Sequence, residues 1–281
     1  MPAEFKFDDV IRDTLSDATK KVLILFPQML EKQENMLHEY HKDTSAILFE
    51  QTSLPLDNLK ASTRLILTLY LTKTIYYSRS IIESVNAKNL LVAFQCMRAL
   101  LEVVAAVRYT LEKMKPIVHE CAARGIVTAE EAHQLNYHCD LLLHGGKFDW
   151  QAFFEEGAWA VLEKKNKPRT KQERRQFEER ARYLKVDTCI KSWSKDQPLA
   201  GFAYDYLCDL VHPNKGSNLT VIIERVQGPM FDVDGPAKLG ILIFDKIFAL
   251  VVRLCADEFE NLFVVFAMLG ADEDRIKTPA D

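Results

Sequence analysis

The sequence predicts an all-α fold, a multi-helix bundle with long antiparallel central helices. Three observations carry that expectation. Apolar residues recur at i, i+3, i+4 and i+7 over most of the 281 residues. Helix-start signals punctuate those runs, and β-rich sequence is confined to a short extended excursion near residues 219–233. A chain of this length with 48% hydrophobic and 27% charged residues can bury a large core, so disorder is not expected.

Taken in order, residues 8–25 are amphipathic, and Pro27 reads as the first turn of a second helix running to about residue 50 through Met29, Leu30, Met36, Leu37, Tyr40, Ile47 and Leu48. Asp57 is placed to cap a helix reaching about Val85, with Leu65, Ile66, Leu69, Tyr70, Ile75, Tyr76, Ile81 and Ile82 as its apolar positions. After a turn at 86–89 comes the most informative segment. Between Leu90 and Val107 every residue is apolar except Gln95, Arg98 and Glu102, which fall at i, i+3 and i+7 on one helix face. A helix apolar all round must be surrounded, and its charged seam must find partners. Pro116 is read as the break after it.

Thr128 and Glu131 form a capping box for a helix through Leu143, which Gly145 and Gly146 end. Its polar positions are His133, Tyr137, Asp140 and His144. Asp140 and His144 have the i, i+4 spacing of two metal ligands on one helix, but two ligands do not make a site, and a polar surface face is favoured. No metal or other cofactor is expected. From Lys164 to Lys185, ten Lys or Arg stand against three Glu, a local net of +7 that leaves −11 for the rest of the chain. Thr170 and Glu173 cap a helix there, which reads first as a solvated charged face. The alternative is a phosphate-binding patch using Arg174, Arg175, Arg180 and Arg182.

Asp196 to Pro198 marks another helix start, and that helix should end at His212 because Pro213 follows. Tyr204, Cys208 and Val211 are expected to face the core, with Asp205, Asp209 and His212 together on another face. A His at a helix C-terminus, three residues after an Asp, has its charged form favoured by the dipole and the carboxylate. It reads first as a cap and second as an acid or base near neutral pH. Asn214, Gly216 and Ser217 make a turn; Leu219–Arg225 pairs with Met230–Val233; a long apolar helix then runs from Ala237 to about Leu269. One structural domain is expected: residues 1–56 packing on a bundle of 57–270, followed by a frayed tail, 271–281.

Charges interrupt both long apolar segments, so neither reads as a membrane span, and the N-terminus lacks the pattern of a signal peptide. A cytoplasmic location follows as the expectation, with the six scattered cysteines as free thiols. No Gly-rich phosphate loop, nucleophile elbow or H-E-x-x-H motif is present.

The R-x-x-x-E pair at Arg98 and Glu102, followed by a helix ending Y-x-x-L-x-x-x-V-H-P-N at Tyr204–Asn214, resembles a family of uncharacterised bacterial helical proteins. More distantly it is similar to the HEPN superfamily of helical-bundle RNases and nucleotide-binding domains. That resemblance spans residues 57–270 in outline. It implies an Arg followed after four to six residues by a His, with two such motifs meeting at a dimer interface to cleave RNA without metal. His212 matches the His; Asp205, Tyr206 and Leu207 stand where the Arg would be. Arg98 is the nearest substitute in chemistry. Two functions are therefore expected in this order: a non-catalytic interaction or scaffolding protein, as a homo-oligomer, with a buried polar network; or a HEPN-like RNA-binding or RNA-cleaving protein of a defence or mobile-element system. The candidate site residues are His212, Arg98, Glu102, Tyr204 and Asn214.

Overall fold

A computed structural model describes residues 4–6, 9–44, 55–143, 154–155, 157, 184–213, 215–219, 222–225, 228–231 and 238–271. The described elements bear out an all-α multi-helix bundle. The basic stretch with Arg174, Arg175, Arg180 and Arg182, together with Asn214, His144, Gly145, Gly146 and the tail from 272, lies outside the described residues.

The first helical segment divides at Ser16 and not at Pro27. Helix α1 is Asp9–Thr14, and α2 runs unbroken over Asp17–Thr44 with Pro27 inside it. Ser16 is the N-cap of α2: its Oγ accepts from the Thr19 N–H at 3.3 Å, and its carbonyl accepts from Lys20 at 2.9 Å. Asp245, from the last helix, holds that cap. Its Oδ1 accepts from the Ser16 N–H at 2.7 Å and from Ser16 Oγ at 2.8 Å, while the Thr19 hydroxyl donates to the Asp245 carbonyl at 2.9 Å. Pro27 removes one helical donor. Phe26 and Leu30, both buried on either side of it, keep the helix on its course.

Helix α3, Pro55–Asn86, and α4, Leu90–Arg124, are joined by three residues and form the centre of the bundle. Pro55 and not Asp57 opens α3, as suits a residue that needs no N–H partner in the first turn. The helix ends in a Schellman turn, with Asn89 N–H on Ser84 O at 2.7 Å, Lys88 N–H on Val85 O at 2.9 Å, and Lys88 in the left-handed region at φ 59°. Asn89 then caps α4 by accepting from the Val92 N–H. Pro116 does not break α4. It lies at an exposed position, and buried Met114 and Cys121 on either side keep the same face packed. The end comes at Gly125, whose φ of 71° lets its N–H reach the carbonyls of Cys121 and Ala122.

Helix α5, Ala129–Leu143, starts at the expected capping box: Thr128 N–H and Oγ1 both donate to Glu131 Oε2, and the Glu131 N–H donates back to Thr128 Oγ1. Ala132, Leu135, Cys139 and Leu142 are buried, while His133, Tyr137 and Asp140 are exposed. Tyr70 ties α3 to α5 through its hydroxyl on the Leu142 carbonyl at 3.0 Å.

Beyond the undescribed stretch lies α6, Val186–Asp196, an element absent from the sequence expectations. Cys189, Ile190 and Trp193 are its buried face, and with Val186 they show the i, i+3, i+4, i+7 spacing of a core helix. Helix α7, Pro198–Val211, follows after one residue and ends at His212, which is extended at φ −79°, ψ 151°. Its core face is Ala200, Ala203, Tyr204, Leu207 and Leu210; Cys208 and Val211, expected to be in the core, are half-buried at its edge. The expected turn is a short helix, α8, Lys215–Leu219. Gly216 is needed there because a Cβ would stand 2.1 Å from Asp209 Oδ2 and 2.7 Å from the Asp209 carbonyl. The excursion is a hairpin of β1, Ile222–Arg225, and β2, Gly228–Phe231, pairing Ile222 with Phe231 and Arg225 with Gly228. Helix α9, Lys238–Ala271, closes the bundle against α2, α3, α4 and α7.

A single hydrophobic cluster joins α2 to α7 and α9, with Phe94, Trp193, Phe244 and Phe248 among its fully buried side chains. Among the described residues α4 is the one helix long and apolar enough to cross a membrane, and half of its most apolar window is buried against the other helices. All six cysteines are free.

Candidate functional site

The α4 seam meets α7. Arg98 Nε donates to Glu102 Oε1 at 3.0 Å within the helix, and the Tyr204 hydroxyl of α7 lies 3.3 Å from the same carboxylate oxygen and 3.5 Å from Arg98 Nη2. The guanidinium also sits 5.4 Å from the centre of the Tyr204 ring, a cation–π arrangement. Each of the three groups is therefore engaged by the other two. Burial pushes the Tyr204 hydroxyl up to about 12, with Glu102 reinforcing and Arg98 opposing, so it stays a neutral donor. For Arg98, burial works against the charge, but Tyr204, Cys208 and Glu102 more than offset it and its cationic form is strengthened.

The seam is less enclosed than an all-apolar helix suggests. The Arg98 and Glu102 side chains are 25% and 28% exposed, and Gln95, the third seam residue, faces solvent. The seam marks the edge of the α4–α7 contact and not a dry interior.

His212 stands elsewhere. It lies eight positions along the chain from Tyr204, about 12 Å of helix rise, and outside α7 as its extended C-cap. It is exposed, and among the described residues its imidazole has no hydrogen bond or ion pair; its backbone N–H donates to Cys208 O at 3.1 Å and closes the helix. The structure thus joins Arg98, Glu102 and Tyr204 and shows no bond between them and His212. Asn214 and the four basic-segment arginines are not described. A groove of about 390 Å³ lies against α2, lined by Phe5, Leu23, Ile24, Pro27 and Glu31, and none of the candidate residues borders it. Among the described residues no three His, Cys, Asp or Glu side chains are grouped as a metal ion would require.

A second charged centre joins three helices. Arg108 of α4, only 14% exposed, reaches Glu112 at 2.6 Å, Asp196 at the end of α6 at 2.7 Å, and Glu258 of α9 at 3.3 Å. Ser192 Oγ donates to Glu112 at 3.0 Å. Only the Arg108–Glu112 pair, at i, i+4, had a local sequence signal; Asp196 and Glu258 are brought in by tertiary packing.

The outer face of α7 carries exposed Asp205 and Asp209 and, beside them, exposed apolar residues. Leu199 and Phe202 are 50% and 59% exposed, and the Phe202 ring stacks on Tyr206 at 5.9 Å, so residues at i, i+3 and i+7 form one stripe. Comparison of the chain with protein-family models, with curated proteins and with solved structures returns no match.

Proposed function

We propose that this chain is a non-catalytic helical interaction or scaffolding protein that assembles with copies of itself. The observation that carries the reading is the closure of the Arg98–Glu102–Tyr204 network on its own members. Its cation is already paired and its hydroxyl is held neutral, an arrangement suited to fixing the register of α4 against α7. The Leu199, Phe202 and Tyr206 stripe supports the assembly part, since exposed apolar stripes mark contact surfaces and a two-fold interface uses one patch twice. Light scattering across a concentration series tests it. The wild type is expected above monomer mass and Phe202→Glu at monomer mass, with unchanged helical content; a monomeric wild type at every concentration contradicts the assembly.

A second reading, a HEPN-like RNA-binding or metal-independent RNA-cleaving protein, rests on the exposed imidazole of His212 in its V-H-P-N setting. Such a reaction needs an acid or base at the 2′-hydroxyl and a cation at the phosphate. His212 is accessible for the first task, and Arg98 would first have to leave Glu102.

A further inference from the structure

Three carboxylates share one cation at the junction of α4, α6 and α9, and they are not held equally. Glu112 and Asp196 sit at 2.6 and 2.7 Å from Arg108 Nη2, whereas Glu258 lies at 3.3 Å from Nε. Ionised together, the four groups carry a net charge of −2 in a partly buried place, and mutual repulsion falls hardest on the carboxylate with the weakest contact. The groups facing Glu258 are Arg108 and Glu112 from α4, Trp193 from α6 with Asp196 reached through the shared guanidinium, and Asp257 and Cys255 from α9 itself. Trp193 is 1% exposed and its indole N–H has no partner at hydrogen-bonding geometry, although it lies close enough to Glu258 to affect its titration.

We infer that this cluster is a pH-sensitive clamp on α9, in which Glu258 takes up a proton from solvent while Glu112 and Asp196 retain Arg108, and that the protonated clamp holds α9 more firmly. A neutral Glu258 carboxyl still offers an oxygen to Arg108 Nε, so protonation removes repulsion from Glu112 and Asp257 without emptying that contact. Burial acts in the same direction and raises the titration of Glu258; Arg108 lowers it, Glu112 raises it, Trp193 lowers it, and Asp257 raises it, with a net rise. The sign is set by linkage. A carboxyl that titrates higher in the folded chain contributes fully below the unfolded value, about 4.3, and its contribution is lost as pH rises through the folded value.

Glu258→Gln, which mimics the protonated form, tests the clamp in the full chain. Wild type and variant are expected to melt together at pH 4.5, with the variant about 2–4 °C higher at pH 8.0. A variant that melts lower than the wild type at pH 8.0, or a difference that does not change with pH, overturns the clamp. Carbon-13 NMR of the side-chain carboxyls in the wild type, with the variant assigning the Glu258 resonance, reads the group directly. A midpoint above the ordinary Glu value is expected, and one at or below it overturns the clamp even if the variant folds poorly.

Discussion

Arg98→Ala measures what the α4–α7 seam contributes. Four interactions are lost, one of them the long 3.5 Å contact of Nη2 with the Tyr204 hydroxyl, which adds little. The pair with Glu102 is a quarter exposed on both sides and contributes about 0.5–1 kcal/mol, as partly solvated pairs do. The cation–π contact with Tyr204 adds about 0.5–1 kcal/mol, and burial of the Arg98 methylene stem roughly 1 kcal/mol. The sum is a loss of about 2–3 kcal/mol, below the roughly 3–5 kcal/mol expected on stranding one partner of a fully buried pair, because water reaches Glu102 once the guanidinium is gone. Urea denaturation with an unchanged m-value is the assay, and a double-mutant cycle with Tyr204→Leu, which removes the ring, should give a coupling of about 0.5–1 kcal/mol. A loss under about 0.5 kcal/mol would show that the seam does not hold α4 to α7; one above about 4 kcal/mol would show a dry pair and refute the edge geometry.

Two further outcomes follow from the helix ends. Asp245→Ala strands the Ser16 N–H and weakens the α2 cap, at a cost of about 1–3 kcal/mol at pH 7 by thermal or urea melts. Burial alone would raise the Asp245 carboxyl, but the Ser16 and Thr19 bonds and Lys246 outweigh it and hold it low. Its contribution is therefore complete above the unfolded value near 3.9 and fades as pH falls through the folded one, so the gap between wild type and variant should close in acid; a gap constant from pH 7 to pH 2 would contradict this. Lys88→Gly should raise stability by about 0.5–1 kcal/mol, since the Schellman turn holds Lys88 at φ 59°, and a destabilised variant would refute that account.

What was legible in the sequence was local. The capping box at Thr128 and Glu131 and the end of α7 before Pro213 are written in neighbouring residues, and the structure follows them; the hairpin is present with other bounds, since Leu219 belongs to α8 and Gly228 and Pro229, read as turn residues, lie inside β2. Pro27 and Pro116 misled because a proline removes only one helical bond, and buried residues on both sides, Phe26 and Leu30 or Met114 and Cys121, carry the helix through. The break at Ser16 did carry a local signal, a Ser N-cap followed by Asp17, while the contact that anchors it comes from Asp245, 229 positions away. Helix α6 did carry the spacing of Val186, Cys189, Ile190 and Trp193, overshadowed by the charge run before it. At the site, Arg98 and Glu102 were visible as exceptions in an apolar helix, and Tyr204 joined them. The Arg108 cluster draws on residues 88 and 150 positions from Arg108, a convergence that periodicity cannot show.

On the function proposed above, the polar groups of this bundle hold helices in register and do not catalyse. RNA cleavage by the purified chain beside His212→Ala, with melts of both proteins, tests it most directly. No cleavage by either protein over a range of salts and RNAs, with equal melting, is the predicted result. Cleavage by the wild type that disappears in an equally stable His212→Ala would contradict the claim and place the chemistry at the end of α7.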